Sequence, residues 1–395
     1  MPRTGSESMP SRWRLSTQAD TDVARKYRVE TVVDASQWGD FVRTHPAGSI
    51  FQTPQMQTVY GMTRGYTPRT LFAVDASTNR LSGVMASVVI RVLSGPLGLL
   101  SARTIVQNGP LIAPGCERDI MQLLLPQHDA SVRRHSMYTE LWNLRESEVD
   151  LCGQCGYAPA RHLEIVADLS PSEADLWAGL SSRRRRSVLR AMRHGVAVHS
   201  VALGDSLIPF YRTLQATYER RRLPLADITL FNAAQRLLGV SGQVRFLIAT
   251  LNHRVVSSKV LLTYGTSAYA WYAGSSQEGQ EAYANDLLGW EAILWSRATG
   301  CDRFDFGGAG SPDIDYGPRA FKLQFGGQLM DSVRMTKTYL PALRRVSRAG
   351  FKLYCRMRDS RHASETESVV EDNGERGDAA RARVDRAIAA WGPVR

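Results

Sequence analysis

The sequence predicts a mixed α/β sandwich fold in two tandem units. Strand-like and helix-like segments alternate along the chain, and the strands include antiparallel hairpins, which favours a sandwich over a doubly wound sheet. A hairpin pattern that begins at Leu71 recurs at Phe246, a spacing far too long for a solenoid repeat and typical of a duplicated domain. The length of 395 residues is also large for one domain.

The composition is that of a globular protein with a basic surface. Hydrophobic residues make up 43% of the chain and charged residues 22%, which is enough for sizeable cores. The formal net charge of +11 favours an anionic partner, such as RNA, a phosphorylated sugar or an acidic membrane. The five cysteines are too scattered for a disulfide framework, and the lone pair Cys152 and Cys155 argues against zinc. We therefore expect no metal and a reducing cytoplasm.

The sequence contains no predicted membrane span. Its most apolar region, residues 81–100, is interrupted by Arg91, Gly95 and Pro96, and we interpret it as strands. The N-terminal arginines are not followed by an apolar segment, so a secretory signal is not predicted. We expect a cytoplasmic protein and leave open a peripheral contact with the inner membrane face.

The first unit is predicted over residues 28–170, after a disordered N-terminus at 1–27. One helix should begin at Pro54 with Thr53 as its N-cap, because proline suits the first helical position and threonine the cap. Predicted strands lie at 27–33, 70–74, 81–92, 106–112, 137–144 and 161–167, and predicted helices at 37–44 and 116–135.

The second unit is predicted over residues 171–340 and repeats this plan. Its predicted strands lie at 196–203, in the hairpin 246–264, at 269–275 and at 304–306, and its predicted helices at 207–222, 230–239 and 284–299.

A basic helix is predicted where the two units meet, with Ser182 as N-cap and Gly195 as C-cap. Its arginines crowd the first turn, which the helix dipole disfavours unless an anion compensates. A solvated helix face is the alternative. The residues predicted to bind an anion or RNA are Arg183, Arg184, Arg186 and Arg190.

The most distinctive stretch is residues 303–330. A short buried strand containing Asp305 ends on Gly307-Gly308, and glycines there allow a close approach of backbone to a ligand. A polar loop follows, and then Lys322 stands among aromatic residues. Its ammonium either reaches water or a carboxylate, or it stabilises negative charge that develops on a substrate.

This run resembles the C-terminal signature of the Fem-like aminoacyltransferases, which belong to the GNAT superfamily. Those proteins carry a similar strand-D-F-G-G, polar loop and F-K-x-x-F-G-G, and the resemblance is sharpest at residues 290–327. It implies two tandem GNAT-like domains and an enzyme that forms an amide on an amino group of a peptidoglycan or exopolysaccharide precursor. It also implies aminoacyl-tRNA or acyl-CoA as co-substrate, with no bound cofactor.

The resemblance implies roles for particular residues. Lys322 is expected to stabilise the oxyanion, Asp305 to act as base or orienting group, and Tyr316 to supply a pocket hydroxyl. Arg220 matches an arginine that contacts acceptor phosphates in the family, although an arginine at a helix C-terminus also simply complements the dipole. The other expected substrate-binding residues are Gly307, Gly308, Phe321, Phe325 and Tyr272.

Two departures from the family pattern leave other functions open. The junction at 274–285 lacks the G-x-G spacing that holds a pyrophosphate and contains Glu278 and Glu281, which argues against an ordinary acetyl-CoA enzyme. Tyr60 stands where members that use nucleotide-linked peptides have a phosphate-binding lysine. The alternatives are an acyl-CoA-dependent N-acetyltransferase of polysaccharide biosynthesis and a non-catalytic RNA- or envelope-binding adaptor.

The C-terminal part is predicted to begin with a basic amphipathic helix at 341–358. Its apolar face includes Leu343 and Val346, and we expect it to pack on the domain or, alternatively, to contact an anionic membrane. Residues 359–395 are predicted to be mostly disordered.

Overall fold

The computed structural model describes residue 23 and residues 25–350, apart from residue 145. The predictions for residues 1–22 and 351–395, including the second half of the basic helix, lie outside the described residues. The chain up to Leu340 forms one compact unit, and Pro341 begins a second, in which residues 341–350 are helical. No helix in the described ranges is long and apolar enough to cross a membrane.

A single mixed sheet runs through the compact unit that ends at Leu340. Its order is β1-β2-β3-β4-β6-β13-β7-β12-β11-β10-β9-β8, and β5 pairs with β3. In the described part of the chain the strands are β1 (Tyr27–Glu30), β2 (Tyr66–Asp75), β3 (Leu81–Ile90), β4 (Arg103–Val106), β5 (Leu111–Ile112), β6 (Tyr138–Leu144), β7 (Ala158–Asp168), β8 (Ala197–Ser200), β9 (Val244–Leu251), β10 (Arg254–Tyr264), β11 (Ser267–Ser275), β12 (Arg303–Gly308) and β13 (Gln328–Thr338).

Helices cover both faces of this sheet, which confirms the predicted mixed α/β class. The described α-helices are α1 (Ala35–Thr44), α2 (Pro54–Gly61), α3 (Glu117–Val132), α4 (Glu146–Gln154), α5 (Glu173–Gly179), α6 (Ser182–Arg193), α7 (Ile208–Arg220), α8 (Ile228–Leu238), α9 (Gln277–Glu281), α10 (Ala284–Ala298) and α11 (Gly317–Leu323).

Local sequence signals explain several element boundaries. Helix α2 begins at Pro54, and the Thr53 hydroxyl accepts a hydrogen bond from the Met56 N–H at 3.2 Å, as predicted. The predicted strand at 106–112 is interrupted between β4 and β5. Asn108 and Gly109 there have φ of 60° and 66°, which turns the backbone out of the extended conformation.

The N-cap of the basic helix α6 is Ser181 rather than Ser182. The Ser181 hydroxyl accepts the Arg184 N–H at 3.1 Å, whereas Ser182 is already helical and cannot cap its own turn. His194 is the C-cap, and Gly195 follows it with φ of 80°.

The last strand, β13, joins the two predicted units into one sheet. It lies between β6 and β7, pairing Val333 with Leu144 on one side and with Arg161 on the other. A shared core reinforces this connection, since Phe51 packs edge-on against Tyr269 with ring centroids 5.2 Å apart. Strands from both predicted units thus belong to one continuous sheet. The limits 28–170 and 171–340 stay a prediction of two duplicated domains.

Strands β11 and β12 separate after a short parallel pairing. Only residues from Ser267 to Tyr269 pair with residues from Arg303 to Asp305, although β11 continues to Ser275. A register shift against β10 also leaves Trp271 unpaired as a bulge. Bulges bend a strand and strengthen its twist. The C-terminal ends of β11 and β12 therefore diverge within the sheet.

A buried network fixes β13 to the first half of the chain. The Asp129 carboxylate on α3 accepts hydrogen bonds from Tyr157 at 2.6 Å, Tyr339 at 2.7 Å and the Lys337 ammonium at 2.6 Å. Burial raises the pKa of Asp129, but hydrogen bonds from His128, Lys337, Tyr157 and Tyr339 outweigh it and hold the net pKa below its usual value. The carboxylate is therefore charged and fully used.

We expect Asp129→Ala to destabilise the protein by about 3 kcal/mol, because it leaves the half-buried Lys337 ammonium without its counterion. It also leaves the Tyr157 and Tyr339 hydroxyls without this acceptor. The matched control is Asp331→Ala, which breaks the exposed pair that β13 makes with Arg161 and should change stability little. Urea unfolding of both variants measures the difference. Equal losses in the two variants would contradict the role of the buried network.

Candidate active site

The candidate site is built at the end of β12, where the strand turns away from β11. Asp305 accepts a hydrogen bond from the Gly307 N–H at 2.7 Å, and Gly307 has φ of 71°, a conformation that favours glycine. The β12 register against β7 shifts between Asp305 and Gly308. The chain therefore bulges here, and Asp305 holds the bulge through the backbone.

Lys322 lies on α11 and closes the same turn from the other side. Its ammonium donates to the carbonyl oxygens of Gly307 at 3.2 Å and Gly308 at 2.8 Å. Burial lowers the pKa of Lys322 to about 8, although the nearby charges of Asp305 and Glu164 oppose this shift. The ammonium thus forms no direct ion pair with a described residue and donates hydrogen bonds to two backbone carbonyl oxygens instead.

Glu164 on β7 is a second acid at this site, and the sequence does not predict it. It stands opposite Gly308 in the β7–β12 register. Burial, and then the charge of Asp305, raise the pKa of Glu164 to about 7. Burial also raises the pKa of Asp305, against the Gly307 N–H and the Arg303 and Lys322 charges. The charges of two carboxyl groups therefore act on one partly buried ammonium without a direct contact in the structure.

His162 and Arg334 complete the polar surroundings. Burial and the positive charges of Arg334, Lys322 and Arg319 lower the pKa of His162 to about 4, so its imidazole is neutral at physiological pH. The Arg334 guanidinium lies over the Trp142 ring at 4.1 Å. The alternation of His162 and Glu164 with the buried core residues of β7 is the sequence signal that points to these residues.

Tyr316 and Arg220, two of the predicted site residues, make no hydrogen bond with Lys322 or the glycine turn among the described residues. Tyr316 directly precedes α11, is exposed, and covers Gly310 with its ring. Arg220 is exposed at the end of α7, and it is the next residue, Arg221, that interacts electrostatically with Lys322 and Tyr218. The role that the family pattern implies for Arg220 therefore stays a prediction, and Arg221 is the neighbouring residue whose charge acts on Lys322.

Tyr272 on β11 belongs to a cluster of tyrosines with Tyr60 on α2, Tyr66 on β2 and Tyr218 on α7. Its ring lies 5.9 Å from that of Tyr218, and Tyr66 lies 5.9 Å from Tyr60. Burial raises the pKa of Tyr218 to about 12 and that of Tyr60 higher still, so both phenols are neutral. The cluster is therefore uncharged, and the buried Tyr60 stands where the family resemblance anticipates a lysine.

Phe321 and Phe325 support Arg184. The Arg184 guanidinium lies 3.9 Å from the Phe321 ring centroid and 4.5 Å from that of Phe325. Phe325 is buried against Gly289, where a Cβ would lie 2.5 Å from the ring. Phe325 thus packs in the core, which does not support the substrate contact predicted for it.

An arginine-lined cavity of about 600 Å³ lies beside Lys322's helix, where α6 meets the start of α10. Arg184 is only 3% exposed and is paired with Asp286, so its charge is neutralised inside the protein. Arg183, Arg186 and Arg190 also line the cavity. Of the predicted anion-binding residues, these three are exposed and can contact a ligand. Arg184 instead holds α6 against the start of α10 through Asp286.

Tyr283 and Lys259 mark the two ends of this region. Tyr283 has φ of 58°, an uncommon conformation for a bulky residue, and Arg190 donates to its hydroxyl at 3.2 Å. Lys259 on β10 is buried, and burial together with the charges of Lys322 and Arg184 lowers its pKa to about 8. Positive charge therefore continues from the cavity towards Lys322. No cluster of metal-ligating side chains occurs among the described residues.

Comparisons with known proteins agree with this arrangement. Residues 181–322 match the family described as acetyltransferase (GNAT) domain. A segment of 144 residues is 29% identical to the UDP-N-acetylmuramoylpentapeptide-lysine N(6)-alanyltransferase of Weissella viridescens. That segment is 36% of this chain and 42% of the enzyme, so the match spans less than half of its length.

Two solved structures share the architecture. The structure of FemX matches with a TM-score of 0.60 at 14% identity, over 81% of this chain and 99% of that chain. The tandem GNAT protein from the clavulanic acid biosynthesis pathway matches with a TM-score of 0.54 at 12% identity, over 80% of this chain and 99% of that one. The chain has the tandem GNAT fold, and its sequence supports the Fem-like family. These matches confirm the predicted fold class and the resemblance to the Fem-like proteins.

We expect Asp305→Asn to lower the pKa of Glu164 from about 7, because the Asp305 charge helps to raise it. Asparagine keeps the oxygen that accepts the Gly307 N–H, so the turn should persist. NMR titration of glutamate labelled at Cδ, with Glu164→Gln to identify its signal, gives the measurement. Asp313→Asn in the exposed loop is the control, and an unchanged or higher pKa of Glu164 would contradict the coupling.

Proposed function

We propose that this protein is a GNAT-fold N-acyl or aminoacyl transferase that forms an amide on an amino group of a cell-envelope precursor. The observation that carries this proposal is the buried Lys322 ammonium, bonded to a glycine turn beside two carboxyl groups where β11 and β12 diverge. The similar alanyltransferase acts on a muramoylpentapeptide lysine, which supports a peptidoglycan precursor as acceptor.

Amide formation joins the acceptor nitrogen to the donor carbonyl carbon and breaks the bond from that carbon to the donor's oxygen or sulfur leaving group. One proton leaves the acceptor nitrogen and one is taken up by the departing oxygen or sulfur. The donor carbonyl is already activated, so the site needs alignment and stabilisation of the developing oxyanion more than a covalent nucleophile. Gly307 and Gly308 accept two N–H groups of the Lys322 ammonium, which leaves a third for the donor carbonyl oxygen.

Glu164 is the group best suited to take the proton from the acceptor amine, because its pKa of about 7 lies near physiological pH. Asp305 is then the orienting group that holds the turn through the Gly307 N–H. The reaction requires Glu164 ionised and Lys322 charged. Its rate should therefore rise with pH through about 7 and fall above about 8, as apparent values of the coupled set.

The arginine-lined cavity supports a donor that carries phosphate groups. Arg183, Arg186 and Arg190 line it on one side, and the N-terminus of α10 contributes its dipole. Aminoacyl-tRNA is the donor that we propose, since the junction before α10 lacks the glycine spacing for a pyrophosphate. Acyl-CoA is the second candidate, because the cavity adjoins the same helix start and would accept a smaller phosphate group.

The location and the partners follow from this proposal. We expect a cytoplasmic protein whose partners are the precursor and tRNA, with a peripheral contact on the inner membrane face through the basic helix that begins at residue 341. Leu343 and Val346 lie in the described part of that helix, and Val346 is exposed.

We expect Lys322→Ala to lower turnover by at least about a hundredfold, because it removes the only described ammonium bonded to the glycine turn. The melting temperature should fall by only about 5 °C, since the loss is two hydrogen bonds to carbonyl groups. Turnover and thermal melts of Lys322→Ala and Lys322→Arg are compared. Unchanged turnover would refute the catalytic role, and a collapsed melt would show a structural one.

We expect the combined change of Arg183, Arg186 and Arg190 to glutamine to weaken tRNA binding and to reduce its salt slope by about 2, as fewer counterions are released. Arg193→Gln is the matched control, because Arg193 lies on the same helix outside the cavity lining. Titrations with labelled tRNA and with acetyl-CoA at two salt concentrations give the measurement.

Micromolar acetyl-CoA binding without salt-sensitive tRNA binding would favour the acyl-CoA-dependent N-acetyltransferase. Salt-sensitive tRNA binding by a protein that transfers nothing to any precursor would favour the adaptor.

A further inference from the structure

The connection between β3 and β4 presents apolar side chains to solvent. Residues 91–102 read R-V-L-S-G-P-L-G-L-L-S-A and contain a 3₁₀ turn from Gly95 to Ser101. Val92, Leu93 and Leu97 are 55%, 46% and 57% exposed. A single exposed leucine is ordinary on a protein surface, whereas several on one short loop indicate an interaction site.

Hydrogen bonds hold this loop in one conformation. The Ser101 hydroxyl accepts the Val92 N–H at 3.0 Å and the Leu93 N–H at 2.9 Å, and it donates to the Gly98 carbonyl at 3.0 Å. The exposed side chains are therefore displayed on an ordered backbone. Binding through them costs little additional ordering entropy.

The charges around the loop are positive. The Arg91 guanidinium donates to the His135 carbonyl at 3.3 Å, and Met137 N–H donates to the Ala102 carbonyl at 3.0 Å, so residues 133–137 lie beside the loop base. Arg133 and Arg134 in that segment are exposed. Residues 91–102 and 133–137 include no aspartate or glutamate.

We propose that residues 91–102 form a membrane-docking loop for an anionic lipid bilayer. Val92, Leu93 and Leu97 enter the boundary between headgroups and acyl chains, and Arg91, Arg133 and Arg134 lie at the phosphate groups. Apolar insertion and basic residues are the two contributions that a peripheral membrane contact combines.

The character of the loop favours lipid over protein as the occupant. Protein interfaces are enriched in aromatic residues and usually bury at least about 1,000 Å² in total. Residues 91–102 contain no aromatic residue, and three small apolar side chains cover far less area. A bilayer requires no shape complementarity, and its negative headgroups match the arginine rim.

The loop also lies close to the tyrosine cluster. Ile90, at the end of β3, pairs with Tyr66 on one side and with Arg103 on the other. Docking would hold Tyr66, at the start of β2, near the lipid surface. Vesicle binding itself does not require transfer activity, so it can be measured whether or not the proposed reaction occurs.

The test is flotation of the full chain with vesicles of phosphatidylcholine alone and of phosphatidylcholine mixed with phosphatidylglycerol. We expect the wild-type protein to bind only the anionic vesicles. Leu93→Ser with Leu97→Ser should weaken this binding by about tenfold, because two inserted side chains are lost. The matched control is Leu203→Ser with Val240→Ser, which changes side chains that are 58% and 78% exposed elsewhere and should leave binding unchanged.

Arg133→Gln with Arg134→Gln should weaken binding mainly at low salt, since screening already reduces the attraction at high salt. Thermal melts check that each variant is folded. Absence of wild-type binding, equal binding by the loop variant, or an equal loss in the control would overturn the proposal. A change of oligomeric state in the loop variant, seen by size-exclusion chromatography, would instead make the loop a contact between copies of the chain.

Discussion

The candidate site depends on the bond between the Lys322 ammonium and the glycine turn after β12. An ammonium removed from water is costly unless its N–H groups are hydrogen-bonded. The carbonyl oxygens of Gly307 and Gly308 accept two of these hydrogen bonds. Asp305 holds the same turn through the Gly307 N–H. The turn therefore fixes the lysine, and the lysine fixes the turn, so that helix α11 and strand β12 present one rigid polar centre.

The continuous sheet brings this centre its second acid. Because β13 inserts between β6 and β7, and β7 pairs with β12, the last strand of the first half lies directly beside the site. Glu164 reaches Asp305 and Lys322 through this register. The pairing of β11 with β12 ends at Tyr269 and Asp305, so the two strands separate at the same place.

The arginines of helix α6 lie in different environments. Arg184 faces inwards, stacks on Phe321 and Phe325 and is paired with Asp286, so it is part of the architecture. Arg183, Arg186 and Arg190 face the cavity, where a ligand's negative charge would relieve their mutual repulsion. Burial and pairing separate a structural arginine from a binding one, and residue type does not.

The sequence by itself determined the features that depend on local chemistry. It predicted the alternating elements and their class, the start of α2 at Thr53 and Pro54, the glycines after β12 and the unusual position of Lys322. Side-chain periodicity, capping residues and the conformational freedom of glycine set these features within a few residues. The resemblance to the Fem-like proteins rested on the same short stretch.

The tertiary structure alone decided which distant residues meet. Glu164 and His162 come from β7, far from Lys322 in sequence, and only the sheet order and register place them at the site beside Arg334 of β13. The orientation of α6 buries Arg184 in the core, and at the end of α7 it is the charge of Arg221 that lowers the pKa of Lys322. These outcomes depend on packing between elements and on the burial of charge, which no local pattern contains.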